Sequence, residues 1–358
     1  MLEVVAVEKE EKYIRDFLLL PKRLYDRKKC TQNEREEEEL LRRSHVLSKY
    51  FDVRGILIYQ DQDPVARCLV TLYPGDDNAY VGFFECIQDE GCAKVLFQAA
   101  KQIAREEHRV QIVGPVNASF WIGYRMKTDR FDQRPYFGEL YNLPYYPDLF
   151  RGAGYVETER YTSNLYDRMP LFISRNTKTA RRYREFLVKG YTFVSPDPGT
   201  IDKNMREIYS LITELYRDFP IYKGISEEDF VTHFAGFKNI LDYRFVKLIY
   251  YKGEAVGFTV GVPDYGNMLR GSLSPGAILR LFLKKIRSRR YVSLYMGVRP
   301  DHLGLGNAMS ETLIRFLQKR RAMTISALIR DGKPTKGYYQ DRIKDHYSYA
   351  LFKYEIRE

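Results

Sequence analysis

The sequence predicts an α/β protein of two tandem copies of one unit, each a mixed, mostly antiparallel sheet flanked by helices. Three observations carry this. Two stretches read alike as hairpins: Phe51–Gly75 (FDVRGILIYQDQDPVARCLVTLYPG) and Leu241–Gly266 (LDYRFVKLIYYKGEAVGFTVGVPDYG). Each has a β-branched and aromatic run, a polar turn, a second such run and a Pro-containing breaker. A strand opening with Tyr-Val follows in each half, Tyr80–Cys86 and Tyr291–Val298, and leads through a loop into an amphipathic helix and a short strand. Strand–helix–strand of that length demands a parallel crossover. Finally, 358 residues suit two domains of ordinary size. The expected boundaries are 1–168 for the first domain, 169–189 for a linker and 190–358 for the second.

Taken in order, Leu2–Val7 is a short strand before a helix over Glu8–Arg27. Thr31–Arg43 reads as an exposed helix, capped by Thr31 or Asn33, with its acidic run on a solvated face. After the first hairpin and third strand, Gly91–His108 places Cys92, Leu96, Ala99 and Ile103 on one helical face, and Val110–Gly114 is the next strand. Arg168–Lys189, with its Arg181-Arg182-Tyr183-Arg184 cluster, joins the halves and is partly helical. Tyr191–Ser195 and Asp202–Asp218 repeat the opening strand and helix, the helix through Ile208, Leu211, Ile212 and Leu215. In the second half Asn307–Arg321 carries the stripe Met309, Leu313, Phe316 and Leu317, and Thr324–Ile329 is the following strand. One insertion separates the copies: Asn267–Arg290 stands where the first half has only Asp76–Ala79. Its run Ile278–Arg290 is apolar and basic without an acid, an amphipathic helix suited to phosphates, RNA or an acidic partner, or a helix with one core face and one solvated face.

Composition narrows the classes. Hydrophobic residues make up 44% and charged residues 29%, the balance of a soluble globular protein. No apolar run reaches the roughly 18–20 residues of a membrane span, and Met1–Leu20 has no signal-peptide core, so a cytoplasmic location and no membrane partner are expected. The four cysteines form no C-x-x-C pair and read as reduced thiols; no metal site is expected. The net charge of +11 favours an anionic partner, with nucleic acid open but not favoured, and oligomeric state is not legible. The five histidines are scattered and read as structural, and no Ser–His–Asp or Cys–His pattern suggests a hydrolase.

The chemistry is concentrated in one turn, Gly297-Val298-Arg299-Pro300-Asp301-His302-Leu303-Gly304-Leu305-Gly306-Asn307-Ala308-Met309. A glycine-rich turn opening a helix aims backbone N–H groups outward, and the helix N-terminus adds partial positive charge. Both suit a pyrophosphate. Gly304 and Gly306 admit close approach of a ligand. In this context the turn resembles the V-x-P-x-x-R/Q-G-x-G-x-G/A sequence of the GNAT superfamily of N-acetyltransferases, which holds the pyrophosphate of acetyl-CoA. Val298, Pro300, Gly304, Gly306 and Ala308 agree with it, while Leu303 takes the place of Arg or Gln and Asn307 precedes the small residue. The resemblance assigns cofactor binding to Val298, Leu303, Gly304, Leu305, Gly306, Asn307 and Ala308, with acetyl-CoA the default co-substrate.

The equivalent turn of the first half, Ile87-Gln88-Asp89-Glu90-Gly91, puts two carboxylates where a pyrophosphate would sit, so the first half reads as a GNAT copy that does not bind CoA. Its later runs, Gly114–Ser119, Tyr141–Tyr146 and Gly152–Tyr155, look like those of a group of bacterial tandem GNAT proteins. The resemblance implies an acyl-CoA-dependent N-acyltransferase acting on an unidentified primary amine, in a small molecule or a peptide. Two alternatives stand beside it: a Fem-type peptidyltransferase using aminoacyl-tRNA, and a catalytically silent GNAT-fold binding protein. In GNAT enzymes a tyrosine on the helix after the fifth strand commonly protonates the departing CoA sulfur; the register puts Tyr339 there, with Tyr338 one step away.

Overall fold

The computed structural model describes residues 1–170, 177–269, 275–332 and 340–356. In chain order the first half contains β1 (Leu2–Val7), α1 (Glu11–Leu24), α2 (Glu34–Leu41), β2 (Asp52–Gln60), β3 (Asp63–Leu72), β4 (Asn78–Cys86), α3 (Glu90–Glu106), β5 (Gln111–Gly114), β6 (Met126–Lys127), α4 (Tyr146–Gly152) and β7 (Val156–Tyr166). The second half contains α5 (Lys178–Val188), β8 (Thr192–Val194), α6 (Ile201–Leu215), α7 (Glu227–His233), α8 (Phe237–Ile240), β9 (Lys247–Tyr251), β10 (Glu254–Pro263), α9 (Pro275–Arg287), β11 (Arg290–Val298), α10 (Leu305–Arg320), β12 (Met323–Arg330) and β13 (Ile343–Glu355). The strand and helix pattern of the two copies is the one expected, with both hairpins and both crossovers in place.

Two compact units result, and neither is a contiguous half. The first takes Met1–Tyr161, a short stretch from Gly266, and the chain from Tyr347 onward. The second runs from Thr162 to Tyr265 and resumes through His346. In the first unit the strand order is β1-β2-β3-β4-β5-β13, with β6 also on β13. All its neighbours are antiparallel except β4 and β5. In the second unit the order is β7-β12-β11-β10-β9-β8, with β11 and β12 parallel. Helix α5, inside the stretch read as a linker, belongs to the second unit.

The first core lies between the sheet and α3. Ile56, Val70, Leu72 and Val81 meet Leu96, Phe97 and Ala100, and Phe84, Phe97 and Phe150 pack ring on ring at 4.8–5.1 Å. Such pairs gain about 0.5–1.5 kcal/mol beyond area burial. The second unit packs Leu305, Ala308 and Met309 of α10 against Phe186, Tyr191, Ile249 and Val256, which fixes the start of α10 to the sheet.

One element departs from expectation. The acidic helix α2 is not wholly solvated: Glu37 is buried and accepts from the guanidinium of Arg67, itself 1% exposed, at 2.8 Å. Arg67 comes from β3, on the other side of the intervening chain, so its pull on Glu37 has no local sequence signal. Asn33 stands at the N-cap without a side-chain cap bond, and the Thr31 hydroxyl instead accepts from the Tyr141 amide at 3.2 Å.

Candidate functional site

The turn between β11 and α10 is built by local backbone chemistry. Gly304 is the N-cap of α10 at φ +89°, a left-handed conformation that costs an L-residue about 1–2 kcal/mol. It brings no side chain to cap the helix, so the first-turn N–H groups meet no carboxylate or hydroxyl at that position. Three of the turn's amides are held internally: His302 donates to the Arg299 carbonyl at 3.1 Å, Leu305 to that of His302 at 3.1 Å and Asn307 to that of Gly304 at 3.2 Å.

His302 braces the turn. Its Nδ1 lies 2.7 Å from the Tyr191 hydroxyl, and its ring stands edge-on to Tyr191 and Tyr251, which stack at 4.3 Å. Burial pushes the Tyr191 phenol above its ordinary pKa, with Tyr251 and Asp301 adding to the shift. The hydroxyl therefore stays protonated and available to the imidazole.

The residues assigned from sequence divide by environment. Leu305 and Ala308 are fully buried, backbone included, and the Leu305 amide is already held by the His302 carbonyl. Val298, Gly304, Gly306 and Asn307 are half-buried, and Leu303, where an Arg or Gln was expected, is 88% exposed. Tyr338 and Tyr339 lie outside the described residues.

A residue that sequence reasoning did not assign stands at this turn. A Cβ built on Gly304 would lie 3.7 Å from Nε and 3.8 Å from Cζ of Arg182, on α5. One arm of that guanidinium donates to Glu185 at 2.9 Å. Within α5, Lys178, Arg181, Arg182 and Arg184 face a single acid, Glu185. The cluster is visible in the sequence; its place beside Gly304 depends on α5 packing across the start of α10.

Beside the turn, two parallel strands part. The β11–β12 ladder runs only from Arg290↔Met323 to Ser293↔Ser326, yet β11 continues to Val298. On its other side β11 stays paired with β10 up to Gly257↔Val298, with a bulge that leaves Leu294 without a partner. Just beyond the end of this ladder Leu328 adopts φ +59°, and its amide donates to Ser163 Oγ of β7 at 2.8 Å. Leu294–Val298 are accordingly half-exposed. Tyr216 covers part of this edge by donating to the Met296 carbonyl at 3.2 Å, and its ring stacks on Phe219 at 4.8 Å, over which Arg330 sits. A polar, extended ligand edge can lie along β11 with its anionic end at Gly304.

The first unit closes the same place. Its parallel ladder also ends early, at Tyr80↔Val113, but the chain after β5 folds back onto β4. The Val116 amide donates to the Val81 carbonyl at 2.8 Å, and the Phe83 amide donates to Asn117 Oδ1 at 2.8 Å. A Cβ on Gly82 would fall 1.9 Å from the Val116 carbonyl oxygen, so the fit tolerates glycine alone. Further along β4, the Cys86 amide donates to the Tyr146 hydroxyl at 3.0 Å and the Cys86 carbonyl accepts from Tyr145 at 2.8 Å. At the N-terminus of α3, Asp89 accepts from the Cys92 amide at 2.8 Å, and that backbone bond holds its carboxyl below the usual range. The helix N-terminus that Gly304 leaves without a side chain in α10 is capped in α3 by the Asp89 carboxylate.

No protein-family model matches this sequence, and no curated protein matches it. Solved structures do. A tandem GNAT protein from the clavulanic acid biosynthesis pathway, solved without AcCoA, aligns over 100% of this chain and 99% of its own at TM-score 0.57 and 11% identity. The chain has the tandem GNAT fold. A GCN5-related N-acetyltransferase from Sphaerobacter thermophilus aligns over 99% of this chain and 96% of its own, at TM-score 0.50 and 15% identity. The GCN5-related glucosamine N-acetyltransferase region of a fungal multi-domain GH3 beta-N-acetylglucosaminidase gives TM-score 0.57 and 12% identity over 99% of this chain, which spans only 38% of that protein. Among the described residues no helix is long and apolar enough to cross a bilayer.

Proposed function

We propose that this tandem GNAT protein is an acyl-CoA-dependent N-acyltransferase that binds one CoA thioester, acetyl-CoA by default, in its second unit. The observation that carries this is the contrast between the turns: open and uncapped at Gly304, filled by Asp89 and the Val116–Asn117 fold-back in the first unit. The β11–α10 turn, with backbone N–H groups and the Arg182 guanidinium, would receive the pyrophosphate. The edge of β11 beyond Ser293, where the β12 ladder has ended, would receive the amide-bearing arm by strand-like hydrogen bonds, which would put the thioester carbonyl near the bulge. Tyr216 and Phe219 then border the acceptor side. The acceptor is a primary amine, which attacks as the neutral base. Its proton must leave to solvent or a nearby base, and the CoA sulfur takes a proton as the C–S bond breaks. Tyr339, or Tyr338, is the proposed donor; a phenol with an ordinary pKa near 10 is protonated at neutral pH. Three of the four free cysteines are buried, which suits a cytoplasmic enzyme using the cytoplasmic CoA pool.

Titration calorimetry of the full chain with acetyl-CoA should give one site. Two equivalent sites, or none alongside a salt-sensitive RNA complex, would replace this function with another. Tyr339→Phe removes one hydroxyl; turnover should fall by about 10²-fold or more with CoA affinity kept, and unchanged turnover would remove Tyr339 from the role.

A further inference from the structure

Helix α9 is turned the wrong way round for a helix that serves its own core. At about 100° per residue, Ala277, Leu281 and Lys284 fall on one side, and these, with Lys285 at its edge, are its partly buried positions. The opposite arc holds Ile278 (55% exposed), Leu279 (59%), Phe282 (57%), Leu283 (38%) and Ile286 (48%). Five large apolar side chains thus face outward, and the helix has no fully buried residue.

The flanks of that arc are cationic. Arg280 and Arg287 border one side and are exposed; Lys285 borders the other, donating to the Asn239 carbonyl at 3.0 Å. From Tyr265 through Pro300 the chain carries eight Lys or Arg and no Asp or Glu. Arg290 pairs with Asp264, and Arg299 with Glu214 and Glu254, from outside that stretch, while α9 itself contains no acid. The occupant of this face must be apolar at its centre and anionic at its border.

We propose that α9 binds in the plane of an anionic phospholipid surface, its apolar arc among the acyl chains and its basic flanks at the headgroups. At 13 residues α9 is about 20 Å long, well short of the roughly 30 Å of a bilayer core, so it lies along the surface. The expectation of no membrane partner rested on the lack of a spanning run, which an in-plane helix does not need. RNA would meet the flanks but leave the five apolar side chains in water. A second copy would set cationic flank against cationic flank in a chain of net charge +11.

The test uses the full-length protein in vesicle flotation, with phosphatidylcholine alone and with phosphatidylcholine mixed with phosphatidylglycerol. The protein should float with the mixed vesicles, less so as salt rises, and not with phosphatidylcholine alone. Leu279→Ser with Phe282→Ser should lower the partition coefficient at least about tenfold. Arg280→Glu with Arg287→Glu should lower it at least about fivefold. These side chains are exposed, so melting temperature and CoA affinity should be unchanged, which separates failure here from failure of the CoA site. Absence of flotation with anionic vesicles, or equal flotation of the Leu279→Ser, Phe282→Ser variant, would overturn the proposal. So would self-association or RNA binding that the same serine substitutions abolish in the absence of vesicle binding.

Discussion

The two strand-to-helix turns of this chain start from the same backbone plan and end in opposite states. In the second unit β12 leaves β11 beyond Ser326, and the helix after β11 begins at a glycine with no side chain to offer its amides. In the first unit the strand edge bonds to Val116, Asn117, Tyr145 and Tyr146, and the helix begins under the carboxylate of Asp89. On the proposed function, a duplicated binding fold would lose its ligand site by satisfying it internally, without losing the sheet. Each buried donor and acceptor that a ligand would have satisfied needs a substitute, because an unpaired buried polar group costs about 1–3 kcal/mol.

The largest expected effect comes from closing the open turn. Gly304→Val forces a β-branched residue into φ +89°, a backbone strain that must distort the turn although its Cβ would meet Arg182 and Phe186 only in ordinary contact. Acetyl-CoA affinity should fall by about 100-fold or more, measured by calorimetry. The matched change in the first unit, Gly91→Ala, brings a Cβ to 3.0 Å from a movable Asp89 carboxylate oxygen and should leave affinity unchanged. Equal losses from both substitutions would break the comparison.

The open turn was legible because its determinants are local: a strand pattern, Pro300, and a glycine, Gly304, at a positive φ. The repeat was legible for the same reason, since period and turn chemistry sit within short windows. The closure of the first site was half legible. Asp89 and Glu90 announce an unfavourable charge, but the fold-back of Val116 and Asn117 onto β4 depends on contacts over 30 residues apart. Glu37 was taken for a solvated acid because Arg67 lies on another element. Arg182 stood out as part of a basic cluster, yet only the packing of α5 brings it to Gly304. The partition of the strands was not legible either: the chain from Tyr347 completes the first sheet, and hydropathy carries no label for which sheet a strand will join.

A smaller effect should sharpen the account of the open turn. If Arg182 supplies the charge that Leu303 does not, Arg182→Ala should weaken acetyl-CoA binding by about tenfold. Arg182→Lys should recover part of the loss, since a point charge replaces a forked donor. The Arg182→Ala penalty should shrink in high salt, because the guanidinium is about half exposed. A tenfold loss that salt does not reduce would point to packing of α5 against α10.

The smallest effect tests the closed turn. Asp89→Ala removes the cap of α3 and should cost about 1 kcal/mol of stability, read from urea unfolding at neutral pH. The folded carboxyl titrates below its unfolded value of about 3.9, because the Cys92 amide bonds to its charged form. Its contribution is therefore complete above that unfolded value and lost as pH falls through the lower folded one, so wild type and variant should converge in acid. Uncapping should still not create a second CoA site. Val116 and Asn117 continue to occupy the β4 edge, and a ligand gaining only the helix end would have no strand to lie along. Calorimetry showing a second site in Asp89→Ala would mean that the carboxylate alone closes the first unit. One site, with stability reduced, would assign the closure to the fold-back and leave Asp89 as its cap.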